Sequence, residues 1–144
     1  MGAQDNIKVV QDYIQASRDG DEARVRDLLA EDAVIRVSGV PRALGGVVQG
    51  RDQILQNLRQ QGPPAGQGET RTIFADDTHV CAVQRVNAPF SGTEFFKGND
   101  KPFTTYQCAV FNLNGGRIRE QTLYINFLDV YVQAGLVGLD SLRA

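Results

Sequence analysis

The sequence contains no tryptophan, one histidine (His79) and two cysteines, Cys81 and Cys108. A single histidine without a cysteine or histidine cluster cannot supply the ligand set of a protein-built zinc site. Both cysteines fall within stretches that read as strands, so we interpret them as buried free thiols rather than as a disulfide framework. We therefore expect neither a metal site nor a cofactor.

Long apolar runs and a strong excess of either charge are also missing. No hydrophobic stretch approaches the ~20 residues that a membrane helix needs, so we expect no membrane partner. The formal net charge is −2 and the 15 basic residues are dispersed, which argues against a nucleic-acid partner. The first residues lack the basic-then-apolar pattern of a signal peptide, and we expect a cytoplasmic protein.

The composition that remains is that of an ordinary globular protein. Hydrophobic residues make up 42% and charged residues 22% of 144 residues. This length is sufficient to bury a normal core and corresponds to one typical domain. We therefore predict a single domain over residues 1–144.

Apolar residues that recur at helical spacing predict three helices. The first spans residues 4–18 and ends at Gly20, and Asp21 can cap the second. The third opens at Gly50, and Gly62-Pro63-Pro64 stops it. The residues expected to face inward are Ile7, Val10, Ile14, Ser17, Val25, Leu28, Leu29, Ile54, Leu55 and Leu58, with Tyr13 at the edge of the first helix.

Alternating patterns predict strands in most of the remaining chain. They cover residues 31–39, 71–75 and 78–86, and an Asp76-Asp77 turn joins the last two. Residues 41–46 are interpreted as a loop between the first strand and the third helix. Helices that precede a run of antiparallel strands indicate an α+β domain.

The stretch from Phe103 to Gly135 is expected to organise the chain as two long strands. Asn114-Gly115-Gly116 lies between them and tolerates the positive φ of a tight hairpin turn. Neither face of this hairpin is cleanly polar, which is typical of strands that are covered on both sides. We expect a pocket on one face and a second subunit of a homodimer on the other. The row expected to meet the second subunit is Tyr106, Cys108, Val110, Thr122 and Tyr124.

Four stretches resemble the ketosteroid isomerase and nuclear transport factor two-like superfamily. They are VVQDYIQASRDGD (9–21), LLAEDAVIRV (28–37), QGRDQILQNL (49–58) and NGGRIREQTLYINFLDVYVQAG (114–135), and the last is similar to the terminal segment of SnoaL-like polyketide cyclases. The likeness covers nearly the whole chain. It implies a cone-shaped, curved antiparallel sheet with three N-terminal helices that enclose a deep pocket.

The resemblance also implies which catalytic residues are present and which are missing. Tyr13 falls where ketosteroid isomerases keep their oxyanion-hole tyrosine. Their general-base aspartate aligns with Val37, and their protonated aspartate aligns with Ala109, so that acid–base pair does not transfer. Limonene epoxide hydrolases and aldol-type cyclases carry a carboxylate on the last strand, where this chain has Leu123.

Mapped onto that fold, the pocket is mostly apolar with three glutamines. Its expected substrate-binding residues are Val37, Ile54, Leu58, Ala82, Gln84, Val86, Ala109, Gln121, Leu123 and Ile125. Tyr13 and Gln107 are the candidate catalytic hydrogen-bond donors. Glu94, in the loop-rich stretch 88–100, is the carboxylate that could reach the pocket mouth from a rim or lid. The alternative is ordinary packing for Tyr13 and water-facing strand polarity for the glutamines.

Such a pocket suits a large, mostly hydrocarbon ligand with a few carbonyl or hydroxyl groups. Without a general base, the resemblance favours a cyclase that templates a polyketide-derived chain, and Diels–Alder-type members of the superfamily are the nearest precedent. A non-catalytic binder of a hydrophobic natural product would have the same lining. A purely structural dimerisation module, with a pocket filled by its own side chains, is the third alternative.

Overall fold

A computed structural model describes residues 2–39, 46–62, 66–93 and 96–143. Within these ranges the chain forms four α-helices, six strands and a short 3-10 helix. In chain order they are α1 (Ala3–Asp19), α2 (Glu22–Leu28), β1 (Leu29–Ser38), β2 (Val47–Gln49), α3 (Arg51–Gln61), β3 (Gln67–Ala75), β4 (His79–Pro89), β5 (Pro102–Asn114), β6 (Arg117–Ile125), α4 (Phe127–Gln133) and the 3-10 helix Leu139–Leu142. No helix in the described ranges is long and apolar enough to cross a membrane.

The six strands form one open sheet in the order β2-β1-β6-β5-β4-β3. Every neighbouring pair is antiparallel except β1 and β6, which run parallel. The expected α+β class is confirmed, whereas the expectation of a wholly antiparallel sheet is wrong at this one pair. Parallel pairing needs a long connection, and most of the chain lies between β1 and β6.

The three predicted helices are present within one to three residues of their expected bounds, although β1 and β2 separate α2 from α3. The face of α1 is rotated from the expected one, because its fully buried residues are Asn6, Val10, Tyr13 and Ala16. Tyr13 therefore lies at the centre of the buried stripe and not at its edge. The apolar pattern alone missed this because it assigned no weight to Asn6 and Ala16.

The predicted hairpin is confirmed, with Gly115 and Gly116 at φ 60° and 75° in the turn between β5 and β6. Its second strand is shorter than expected, because residues 127–133 form α4. The side chain of Asn126 caps this helix by accepting a hydrogen bond from the Asp129 backbone N–H at 3.1 Å. The alternation of valines with polar residues in this segment resembles a strand, which explains the error.

Two further differences concern the strands. β2 was not predicted, since only three residues separate the expected loop from α3. β3 starts at Gln67 and β4 extends to Pro89, so both strands are longer than their alternating cores. Most of the predicted 41–46 loop and the predicted Pro63-Pro64 helix stop lie outside the described residues.

The helices α1 and α3 pack against one face of the sheet, which we call the inner face. Their buried residues Val10, Tyr13 and Leu55 form one core cluster with Ala109 and Phe111 of β5. The opposite, outer face carries exposed aromatic side chains. The turns between β3 and β4 and between β5 and β6 mark the lower end of the sheet, and the end of β1 and start of β5 mark the upper end.

The helix α1 is fixed across the inner face at both ends. At the lower end, Nδ2 of Asn6 donates to the backbone oxygen of Asp77 at 3.0 Å, in the turn between β3 and β4. At the upper end, the side chain of Arg18 lies over Gly68 of β3. The helix therefore crosses the sheet from the lower to the upper end.

Candidate ligand site on the inner face of the sheet

The strand register places the predicted lining residues of the sheet on the inner face in successive rows. Directly paired residues share a face of a sheet. From the lower to the upper end, the rows are Ile35, Gln121, Phe111 and Val80, then Val37, Leu123, Ala109 and Ala82, then Ile125, Gln107 and Gln84, then Thr105 and Val86. Ile54 and Leu58 belong to α3, which packs over β1.

These residues divide by depth. Tyr13, Ile54, Ala82, Ala109 and Gln121 are buried, and the two alanines are 0% and 1% exposed. The lower half of the predicted pocket is therefore packed by the protein itself. The half-buried group, which retains contact with solvent, comprises Val37, Leu58, Val86, Gln107, Leu123 and Ile125. Five of these six side chains are apolar, so a ligand on the inner face would meet a mainly hydrocarbon surface at the upper half.

A pair of glutamine amides lies within this upper half. Nε2 of Gln107 donates to Oε1 of Gln84 at 2.9 Å, across the β4–β5 ladder. One hydrogen bond between two primary amides leaves one N–H donor set and one carbonyl acceptor unused, whichever way the amides are turned. Gln84 is only 6% exposed, so water-facing strand polarity does not explain it.

A second polar pair lies in the lower half. The hydroxyl of Tyr13 donates to Oε1 of Gln121 at 3.0 Å, and both side chains are buried. The Tyr13 ring also makes an edge contact with Phe111, with ring centroids 5.9 Å apart. Burial raises the pKa of Tyr13 to about 12, although a hydrogen bond with Ser17 acts in the opposite direction. The phenol is therefore neutral at physiological pH and can donate a hydrogen bond but cannot act as a base.

The structure does not bring Tyr13 and Gln107 into one site. Gln121 pairs with Phe111, four residues along β5 from Gln107, which corresponds to about 13 Å of extended strand. The alanines of the intervening row, Ala82 and Ala109, are covered by the core. A substrate contact for Gln107 fits its half-buried position, whereas a contact for Tyr13 requires the ligand to reach the packed lower half. Both catalytic roles remain predictions.

No inner-row position of β1, β3, β4, β5 or β6 carries an aspartate, a glutamate or a histidine. Glu94, the carboxylate expected at the pocket mouth, lies outside the described residues. The described parts of the chain also contain no group of three or more histidine, cysteine, aspartate or glutamate side chains arranged to hold a metal ion. The inner face therefore offers neutral hydrogen-bonding groups in an apolar setting.

The outer face contains two shallow grooves, of about 410 and 420 Å³, lined by side chains of β3 to β6. Tyr106 and Tyr124 are 58% and 52% exposed there. Cys81 and Cys108 are free, half-buried thiols with their sulfurs 3.3 Å apart. Burial and the neighbouring Cys108 thiol raise the pKa of Cys81 to about 11, so this thiol is a poor nucleophile near neutral pH. The grooves are open and lack the polar pairs of the inner face.

An aromatic cluster at the upper end was not anticipated. Tyr131 of α4 has its ring centroid 4.7 Å from Phe96 and 6.1 Å from Phe90, which fixes parts of the predicted rim stretch 88–100. Gln133 anchors the same helix by donating to the backbone oxygen of Thr104 at 2.8 Å. The cluster was missed because residues 127–133 were interpreted as strand. The Asn126 cap was the available signal.

Comparison with known proteins agrees with this geometry. The model of the SnoaL-like domain matches residues 10–121, and the chain belongs to this family. The resemblance stated from the sequence is thereby confirmed. No curated protein sequence matches the chain significantly.

Solved structures show the same fold. An epoxide hydrolase-like protein of Mycobacterium tuberculosis, related to limonene epoxide hydrolase, superposes with a TM-score of 0.73 at 20% identity, over 98% of this chain and 96% of its own. A candidate polyketide cyclase of Xanthomonas campestris pv. campestris gives 0.72 at 24% identity, over 91% and 97%. A candidate SnoaL-like polyketide cyclase of Jannaschia sp. CCS1 gives 0.79 at 13% identity, over 94% and 94%. Identities this low establish a common fold and leave the chemistry to be argued from the site.

Proposed function

We propose that this protein is a cofactor-independent cyclase of a polyketide-derived intermediate in natural-product biosynthesis. It acts by holding one chain in a folded pose for an intramolecular cyclisation such as a [4+2] cycloaddition. The observation that carries this proposal is the composition of the inner face. Its solvent-accessible upper half combines apolar side chains with a neutral glutamine pair, and its inner strand rows carry no carboxylate or imidazole.

The chemistry follows from what these groups can do. Aldol cyclisation needs a base to remove a proton beside a carbonyl, and neither an amide nor a phenol with its pKa near 12 does this near neutral pH. A cycloaddition needs no proton transfer. Holding both reacting ends of one chain together removes several kcal/mol of entropic barrier, on the order of 7–11 kcal/mol in ideal cases.

The glutamine pair supplies the electronic contribution. An unused amide N–H of Gln84 or Gln107 would donate to a carbonyl conjugated with the reacting double bonds. This withdraws electron density from the alkene and stabilises charge that grows on the carbonyl oxygen in the transition state. The bond between the two glutamines holds this donor in place before the ligand arrives. We further propose that the curved sheet and helices complete a cone around the ligand.

The alternative function is binding of a hydrophobic natural product without turnover. The packing of the lower half favours it, because the Tyr13 hydroxyl is already bonded to Gln121 and does not point at a ligand. Binder and cyclase differ only in whether the ligand leaves changed.

The experiment is incubation of the purified protein with an extract from a producing strain that lacks the gene. Liquid chromatography with mass spectrometry would follow the accumulated precursor. A cyclase converts it into a product of identical mass, with or without a chelator such as EDTA. Recovery of an unchanged, protein-bound precursor would support the binder, and neither result would contradict both. The variant Gln107→Leu should slow conversion, while Gln56→Leu on the exposed surface of α3 serves as its control.

A further inference from the structure

Arg18 differs from most arginines of the described chain in lacking an acidic partner. Arginine–carboxylate pairs join Arg24 to Asp12, Arg26 to Asp52, Arg36 to Glu120, Arg59 to Glu22, Arg71 to Glu69 and Arg119 to Asp32. Arg18 is half-buried in the last turn of α1 and makes no hydrogen bond or ion pair with another described residue. A partly desolvated guanidinium without an anion is electrostatically unfavourable.

The position of this guanidinium is set by a glycine. A methyl group placed on Gly68 would lie 2.6 Å from Nη2 and 3.4 Å from Cζ of Arg18. Gly68 pairs with Val86, and Val86 lies two residues from Gln84 along the inner face of β4. Two residues of strand correspond to roughly 7 Å. The Arg18 side chain therefore lies against the inner face one row above the glutamine pair.

Helix electrostatics explain part of this arrangement. A basic side chain in the last turn of a helix interacts favourably with the free carbonyl groups there. That effect accounts for a basic residue near position 18. It does not account for a guanidinium over the sheet, in a space that remains open only because residue 68 has no side chain.

We propose that Arg18 forms an oxyanion subsite at the upper end of the inner face, and that the substrate carries a carboxylate or a phosphate there. The planar guanidinium fork binds either group with two parallel hydrogen bonds. A free acid would supply the carboxylate, and a carrier-attached chain would supply a phosphate. This inference rests on the proposed function, since the apolar part of the same ligand lies along Val86, Leu123 and Ile125. The oxyanion fixes which end of the chain enters first.

Calorimetric titration of the full-length protein with three matched probes tests this subsite. The probes are an octadecatrienoic acid, its methyl ester and the corresponding alkyl phosphate, each below its micelle concentration. We expect the acid, the phosphate or both to bind roughly tenfold or more tightly than the ester, as for a hydrogen-bonded charge pair. Which anion shows the larger preference distinguishes a free acid from a carrier-attached substrate.

Three variants assign the preference to its source. Arg18→Gln should reduce the anion-over-ester ratio to about one, and Arg18→Lys should retain part of it. Gly68→Ala should also lower the ratio without changing the charge, because the new methyl group displaces the flexible end of Arg18. Arg117→Gln, at the exposed β5–β6 turn, should leave the ratio unchanged.

The outcomes separate this inference from the proposed function. If the ester binds but the wild-type protein shows no anion preference, or if Arg18→Gln retains it, the subsite proposal is wrong and the apolar site stands. If Arg18→Gln only lowers thermal stability, Arg18 serves the helix end alone. If neither acid nor ester binds the wild-type protein, both proposals fail.

Discussion

Nε2 of Gln107 and Oε1 of Gln84 meet at 2.9 Å across the β4–β5 ladder, with one amide half-buried and the other almost fully buried. This contact turns two flexible polar side chains into a fixed donor–acceptor group beside an apolar surface. It also explains how glutamines occupy a core-facing position, because each satisfies part of the hydrogen-bonding need of the other.

We expect Gln107→Leu to lower kcat/KM by an amount equivalent to roughly 1–3 kcal/mol, the usual effect of losing one hydrogen bond and leaving a partner unsatisfied. The loss should be incomplete because the apolar surface still folds the substrate. Gln56→Leu should have no effect. A loss of activity to the uncatalysed rate would show that the amide does chemistry beyond donating a hydrogen bond.

Filling the accessible upper half should affect turnover more strongly. Leu123 is half-buried in the row below Gln107, and Leu123→Phe adds a ring where the ligand would lie. Leu123→Met, of similar volume, is the matched control. We expect Leu123→Phe to reduce turnover more than Gln107→Leu does, while circular dichroism shows a folded protein. Equal activity of the two Leu123 variants would place the ligand elsewhere.

The alanines of the same row are unsuitable for that experiment. The sequence suggested Ala82 and Ala109 as filling sites, but both are essentially unexposed in the core. A phenylalanine at either position would overpack the core, typically at a cost of about 1–3 kcal/mol or more. Their variants would therefore measure folding and not ligand access.

Tyr13 links the site to stability at high pH. Burial raises its pKa to about 12, above the ordinary value of 10.0. The folded state therefore holds the phenolic proton more tightly than the unfolded state does. This contribution to the free energy of unfolding is complete below pH 10 and is lost as the pH rises through 12. Two pKa units correspond to roughly 2–3 kcal/mol.

Urea unfolding between pH 9 and 11.5 measures this effect. Tyr13→Phe should be less stable than wild type at neutral pH, because Gln121 loses its partner, and should lose less stability over the alkaline range. Tyr106→Phe, which removes an exposed hydroxyl, should follow the wild-type curve. Parallel curves for all three proteins would contradict the assignment of a strongly raised pKa to Tyr13.

The outer face leads to a prediction about assembly. Tyr106 and Tyr124 are more than half exposed beside the half-buried Cys108 and Val110, an apolar arrangement for a surface in water. We expect a homodimer that covers this face. Light scattering at micromolar concentration should give the mass of two chains for wild type and of one chain for a Tyr106→Lys, Tyr124→Lys double variant. Arg117→Glu is the control, and a monomeric wild type would contradict the prediction.

Local sequence signals were sufficient for the elements but not for the depth of the site. Gly115-Gly116 located the hairpin, and alternation placed Gln84, Gln107 and Leu123 on one face. The parallel contact of β1 with β6 could not be predicted, since it joins distant parts of the chain without a local pattern. Which residues of the inner face stay accessible depends on how α1 and α3 cover it, and that is a property of packing.

The same distinction explains the two largest errors. The segment 127–133 has a strand-like alternation, but the Asn126 cap and the packing of Val130 and Ala134 against Phe90 favour a helix. The role suggested for Arg18 had no local signal either. It depends on a glycine 50 positions away in the sequence, which only the folded chain brings under the guanidinium.

The central claim is that the inner face catalyses cyclisation by shape and neutral hydrogen bonds, and the pH dependence of the mass-neutral conversion tests it most directly. The Gln84–Gln107 pair does not titrate, and Tyr13 stays protonated to about pH 12. The account predicts a conversion rate that is nearly constant between pH 6 and about 9. A sigmoidal profile in that range would contradict it, as would the absence of any product of unchanged mass.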